Sequence, residues 1–283
     1  MTAAANIREI ILFAALAAAS LLSIQLARAE EPKAVSLDFC ADQYLLALAN
    51  PAQIMAVSKR ATDENSYFRE KAMGLDHFGG TVEEVLRLRP DVVIGTDWAF
   101  MILPVLSQYG IKTNVPDYGH QSYVLFKNIA RFGDVLGRSD QAKKLIADYQ
   151  KRLKTLKNIP KSKLTAAYIT PSGYTGGTGT YIDDVISLAG YSSFAAANNI
   201  VGWQPISLET LLLDPPDLII SSFFNQSNVH VSHWSLTRHP KVARMMNEIP
   251  TISIPGNLIS CGGLFSIEIA EYIRASGVER IIK

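Results

Sequence analysis

Aromatic and cationic side chains gather on the short segments that follow the chain's aliphatic runs. In the first half these are Phe39, Arg60, Asp63, Trp98, Tyr118 and His120. In the second half they are Tyr174, Trp203, Phe223 and Phe224, with a Ser260-Cys261-Gly262-Gly263 turn. Such rings stack on flat or apolar molecules, and a guanidinium such as Arg60 can neutralise a carboxylate. Any one ring could equally pack beneath its own loop, so the reading rests on the group. This is the chemistry of holding a molecule rather than breaking it. The sequence has no Gly-x-Ser-x-Gly elbow, no His-Glu-x-x-His and no acid pair suggestively spaced for glycoside hydrolysis. A non-enzyme is expected, with a secreted hydrolase as the alternative from another class.

Three other groups could carry chemistry. Cys40 and Cys261 are the two cysteines and lie near opposite ends of the chain. In an oxidising compartment they can pair, but sequence does not establish that their Cα atoms come within range. His230 and His233, with His239 nearby, lack the partners and spacing of a metal site, and His77 and His120 stand apart. No metal site and no cofactor is expected. Residues 171–180 are Gly-rich, yet they lack the Lys-Ser/Thr ending of a phosphate-binding loop and read as a flexible loop with Tyr174 facing ligand.

The first 29 residues read as a cleavable signal peptide. Arg8 and Glu9 precede an apolar run over 10–24, then Ala27-Arg28-Ala29 gives a small-x-small cleavage signal. That run is shorter than the roughly 20 residues a spanning helix needs. Asp38 and Phe39 before Cys40 do not suit a lipid-attachment site. The mature chain is expected in the periplasm. Hydrophobic residues make up 48% of the sequence and charged residues 19%, which supports a sizeable core. A net charge of +1 gives no field to gather nucleic acid, and none is expected as a partner.

The elements that would position these residues follow from an internal repeat. Residues 81–94 read Thr-Val-Glu-Glu-Val-Leu-Arg-Leu-Arg-Pro-Asp-Val-Val-Ile, and residues 207–220 read Ser-Leu-Glu-Thr-Leu-Leu-Leu-Asp-Pro-Pro-Asp-Leu-Ile-Ile. Each copy gives a hydroxyl cap, a short helix, a Pro-Asp stop and a buried strand. Strands are expected at 34–37, 54–57, 92–94, 110–115, 164–169, 218–221 and 251–254, with helices at 42–48, 182–188, 208–213 and 266–275. Between the halves, Ala142, Leu145, Ile146, Tyr149, Leu153 and Leu156 follow helical spacing, with Ser139 as expected cap and Asp140 at the positive end of the dipole. Such a rod spans roughly 28 Å at 1.5 Å per residue. The expected fold is α/β, with two Rossmann-like lobes on mainly parallel sheets bridged by one long helix. The divisions are a leader at 1–29, lobes at 34–138 and 159–283, and the rod at 139–158.

With Gly80-Thr81-Val82-Glu83, Arg89-Pro90-Asp91-Val92-Val93-Ile94, the rod, Tyr181-Ile182-Asp183-Asp184 and Ser207-Leu208-Glu209 in this order, the chain resembles the periplasmic binding proteins of ATP-driven importers for iron-siderophores, cobalamin and haem. The resemblance spans essentially the whole mature chain. It implies capture of a ferric siderophore, or else cobalamin or haem, and delivery to a permease dimer driven by cytoplasmic ATPase subunits. It also implies one glutamate per lobe docking on permease arginines, at Glu83 and Glu209. The helix dipole alone would account for an acid at either place, though not for the same step in both halves. A monomer is expected, and a ligand sensor of the same fold is the other reading. Ligands of open α/β sheets lie beyond the C-terminal strand ends, which places the site between the lobes.

Overall fold

The computed structural model describes residues 31–117, 119, 122–223 and 235–277. The leader segment, Tyr118, His120, Phe224, His230, His233 and Trp234 lie outside the described residues. The remainder from Pro32 onward forms one compact unit.

Two separate parallel sheets carry the fold. The first holds β1 (Ala34–Ser36), β2 (Ile54–Ser58), β3 (His77–Phe78), β4 (Val92–Ile94) and β5 (Lys112–Asn114) in the order β3-β2-β1-β4-β5. The second holds β6 (Thr165–Ile169), β8 (Ser192–Ser193), β10 (Leu218–Ser222) and β11 (Thr251–Ile254) in the order β11-β10-β6-β8. A small antiparallel ribbon, β7 (Tyr174–Gly176) with β9 (Trp203–Pro205), belongs to the second half. The Gly-rich stretch expected as a flexible loop is therefore partly a paired strand. Its ladder partner is far off in sequence, so no hairpin turn announces it.

The main helices are α1 (Phe39–Leu48), α2 (Val82–Leu88), α3 (Ser122–Val135), α4 (Ser139–Lys157), α5 (Tyr181–Leu188), α6 (Leu208–Leu213) and α7 (Ser266–Ala275). The repeat shows its physical basis here. Thr81 Oγ1 accepts from the Glu84 N–H while the Glu84 carboxylate accepts from the Thr81 N–H, a reciprocal cap on α2. Ser207 Oγ accepts from the Thr210 N–H on α6 at 3.0 Å. The Pro-Asp step then does the same work in both halves. Asp91 Oδ2 accepts the Lys33 N–H at 2.8 Å, just before β1, and Asp217 Oδ2 accepts the Thr165 N–H at 2.7 Å, at the start of β6. Each aspartate fastens the strand that follows a repeat helix to the neighbouring strand.

The rod α4 packs against α3 of the first half and α7 of the second. Its first residue is Ser139, and the hydroxyl bonds to Asp134 rather than capping the helix. The expected cap fails because Arg138 occupies that position, without a side-chain bond to the helix. At the other end Arg152 is held by three carboxylates: both oxygens of Glu271 (2.9 and 2.6 Å), Glu268 (2.8 Å) and Asp148 (3.4 Å). Two apolar clusters stay within single lobes. One surrounds Val35, Val93 and Leu106, the other Ile169, Ile219 and Val242. A third runs along the rod through Tyr149, Leu153 and Leu156 and takes residues from both halves. The rod is thus embedded in a shared core, which favours small adjustments over wide swings. Among the described residues no helix is long and apolar enough to cross a membrane.

Candidate functional site

The loops after the C-terminal strand ends of both sheets, together with parts of α1, α3, α5 and α7 and Lys157 at the end of the rod, line a half-open chamber of about 490 Å3. That volume lies within the range of small-molecule sites. The first half contributes Tyr44 of α1, Thr96 and Asp97 after β4, and Asp117 after β5; the second contributes Tyr181 and Asp184 of α5 and Trp203 of the ribbon. A disulfide joins Cys40 to Cys261, with Cα atoms 5.2 Å apart, and both cysteines line the chamber.

The walls are positioned from the sequence upward. Asp38 precedes α1 in extended backbone and accepts from the N–H groups of Cys40 (3.1 Å) and Ala41 (2.9 Å). Its other oxygen accepts from the Thr96 N–H at 2.6 Å, so one carboxylate fixes the loops after both β1 and β4. The first helix therefore begins at Phe39, earlier than the expected 42, and its cap was legible as an Asp just before an apolar run. Behind it, buried Asp42 accepts from Ser36 Oγ, the Ser58 N–H and Ser58 Oγ, linking β1 to β2. Burial raises its pKa to about 6 against these hydrogen bonds.

Beyond β5, the Asn128 side chain bonds both the N–H and C=O of Asp117 (2.8 and 3.0 Å). The Asp117 carboxylate meets Lys127 at 2.7 Å and Arg131 at 2.8 Å, and the Lys127 bond leads in holding it below the usual carboxylate range. On the facing lobe, Trp203 stands against Tyr168 and Tyr181 with ring centroids 6.0 and 5.9 Å away. Tyr181 donates to the Ile259 carbonyl at 3.0 Å, and burial pushes its phenol well above the ordinary value. Tyr168 shares a 2.6 Å hydrogen bond with Ser222. The second lobe thus offers an aromatic wall, and the first a hydrogen-bonded polar one.

The expected binding residues divide. Trp203, 43% exposed, lines the chamber. Trp98 is 84% exposed and Tyr174 45%, and neither lines it. Phe39, Arg60 and Asp63 form a cluster of their own: Arg60 Nε meets Asp63 at 2.8 Å and the guanidinium lies 4.9 Å from the Phe39 ring centroid. Arg60 therefore already has an acid partner. Phe223 lines a second, more open groove of about 550 Å3 with Glu64, Asn65 and residues 253–257. Tyr44 was not among the expected binding residues because it sits inside a helical pattern, where a tyrosine reads as core, and Tyr181 was read only as part of the Tyr181-Ile182-Asp183-Asp184 motif at a helix start. His239 caps the helix Pro240–Glu248, accepting from the Lys241 N–H at 3.3 Å. Among the described residues no group of three or more His, Cys, Asp or Glu is arranged to hold a metal ion.

Glu83 and Glu209 are both exposed, each in the first turn of its repeat helix. Neither has an ion-pair partner among the described residues. The neighbouring Glu84, by contrast, is engaged in its cap, and backbone hydrogen bonds led by that from Thr81 lower its pKa.

Two parallel-sheet lobes, a single embedded rod and a chamber between facing strand ends define a two-lobed α/β fold rather than one continuous sheet. The chain belongs to the periplasmic binding protein family, whose model matches residues 35–229. It is 28% identical over 134 residues to the iron(3+)-hydroxamate-binding protein YxeB of Bacillus subtilis (strain 168), a match covering 44% of this chain and 37% of that relative. Among solved structures it is similar to the periplasmic heme binding protein HutB of Vibrio cholerae, with a TM-score of 0.70 at 22% identity over 87% of this chain and 99% of that one. It is also similar to the periplasmic vitamin B12 binding protein BtuF of Vibrio cholerae, with a TM-score of 0.66 at 18% identity over 89% and 98%.

Proposed function

We propose that this protein is the substrate-binding component of an ABC importer, exported by its leader into the periplasm, where it captures a ferric siderophore and delivers it to the permease. The observation that carries this is the pairing of one chamber between two lobes with one exposed glutamate, without an ion-pair partner among the described residues, at the same step of each lobe. The division into 34–138, 139–158 and 159–283 follows the two sheets and the rod between them. A ferric chelate is favoured over cobalamin and haem by the hydroxamate-binding relative. The protein acts as a monomer without catalysis of its own. Glu83 and Glu209 meet cationic sockets on the permease, and ATP hydrolysis in other subunits opens the path.

Protein purified from its host and examined by absorption spectroscopy distinguishes the ligands, since ferric chelates, corrinoids and haem absorb differently. A charge-transfer band of a ferric chelate is expected; a haem Soret band would replace the siderophore by haem. Reversing both charges, Glu83→Lys with Glu209→Lys, should abolish uptake while ligand affinity stays within about threefold, an effect under 0.7 kcal/mol. Normal uptake by that double variant would remove the docking assignment.

A further inference from the structure

The disulfide ties the two lobes together at the cleft. Cys40 lies in the first turn of α1, directly after β1, and Cys261 lies beyond β11 in the other lobe. β1 is the middle strand of its sheet, with β4 and β5 on one side and β2 and β3 on the other. The chamber draws on the first side, through Thr96, Asp97 and Asp117. The open groove draws on the second, through Glu64 and Asn65 after β2. The two cavities share no lining residue. Both cysteines line the chamber and neither lines the groove, and the covalent link crosses from lobe to lobe at the chamber wall.

We propose that the Cys40–Cys261 disulfide is a redox latch on the cleft: oxidised, it fixes the aperture at the Trp203 chamber; reduced, it lets the lobes shift slightly apart there and exposes that chamber further. Three observations support this. The remaining contacts between lobes near the cysteines are noncovalent, such as the stack of Tyr67 on Phe265 at 4.2 Å between centroids. The shared apolar cluster runs along the rod and continues to Phe265 and Cys261, so the lobes stay joined when the disulfide is reduced and only small adjustments of the cleft are at stake. Both cysteines are only half-buried and line a cavity, so a thiolate can reach the sulfurs.

The chemistry balances with a dithiol reductant. Its thiolate attacks one protein sulfur, the Cys40–Cys261 bond breaks, and the other cysteine leaves as a thiolate. The reductant's second thiol then displaces the mixed disulfide. Two electrons pass from the dithiol, which ends as its own disulfide, and the protein holds two thiols.

The test needs no ligand, so its outcome is separate from that of the transport reading. In full-length mature protein carrying Trp98→Phe and Trp234→Phe, Trp203 is the single remaining tryptophan. Its bimolecular acrylamide quenching constant, the Stern–Volmer slope divided by the excited-state lifetime, is measured oxidised, after dithiothreitol, and after reoxidation. A rise of at least about twofold on reduction, reversed on reoxidation, is expected, and Cys40→Ser with Cys261→Ser should hold the high value with or without reductant. An unchanged constant on reduction overturns the latch. So does loss of helical circular dichroism on reduction, since the disulfide would then be holding the fold itself. Should the double cysteine variant fail to fold, the reduction and reoxidation cycle on the parent still decides.

Discussion

The two lobes are alike at one end of their sheets and unlike at the other. At the strand starts, Asp91 and Asp217 make equivalent bonds to the neighbouring strand, and Thr81 and Ser207 cap equivalent helices, α2 and α6. At the cleft, the first lobe is organised by carboxylates, with Asp38 joining two loops and Asp117 clamped by Asn128 and Arg131. The second is organised by rings, with Trp203 set against Tyr168 and Tyr181. The shared hardware maintains a frame that works in duplicate. The unshared hardware gives the two sides of the cleft different chemistry, and there one repeat copy no longer informs about the other.

This contrast can be broken at three levels. The largest effect is expected where the unlike ends are tied together. Cys40→Ser with Cys261→Ser opens a loop more than two hundred residues long and should cost about 2–5 kcal/mol in urea denaturation. A loss below about 1 kcal/mol would mean the rod and shared core already fix the lobes.

The next effect belongs to the first lobe alone. Asp42 has a folded pKa raised by burial, so its contribution to stability is fully present below the unfolded value near 3.8 and is lost as pH rises through about 6. Over that window the protein should lose up to about 3 kcal/mol through this group, an upper bound from 1.36 kcal/mol per pKa unit. Asp42→Asn should flatten this pH dependence in thermal melts, and identical profiles for variant and parent would contradict the assignment.

The smallest effect tests the likeness itself. Asp91→Ala removes one charge-assisted bond, from the Lys33 N–H, and Asp217→Ala removes two, from the Thr165 N–H and hydroxyl, and each change should cost about 1 kcal/mol because the groups left behind are exposed. Costs differing by more than about 1 kcal/mol would show that the repeat is formal rather than mechanical.

The frame was far more legible in the sequence than the site. The 81–94 and 207–220 copies, the rod and seven strands could be read because each is a local pattern of cap, period and stop. Helix α3 was missed although Val124, Leu125, Ile129 and Phe132 are buried along it. Gly133 near its end reads as a breaker, yet a Cβ there would fall 2.3 Å from that of Ala142, so the glycine serves the close approach of the rod. The site is assembled from pairings with no local signature, such as β7 with β9 and Cys40 with Cys261. Of the expected rings in the described residues, Trp203 reached the chamber and Trp98 did not, because strand-end position fixes where a loop starts and not where its side chains turn.

The division of labour between these two tryptophans can be read directly by calorimetric titration of the purified protein with a ferric trihydroxamate. Saturable binding is expected, unchanged within about twofold by Trp98→Phe and weakened at least about tenfold by Trp203→Ala, or roughly 1.4 kcal/mol. If the parent binds none of ferric trihydroxamate, cobalamin or haem, or if Trp98→Phe rather than Trp203→Ala removes the affinity, the chamber between the lobes is not the ligand site.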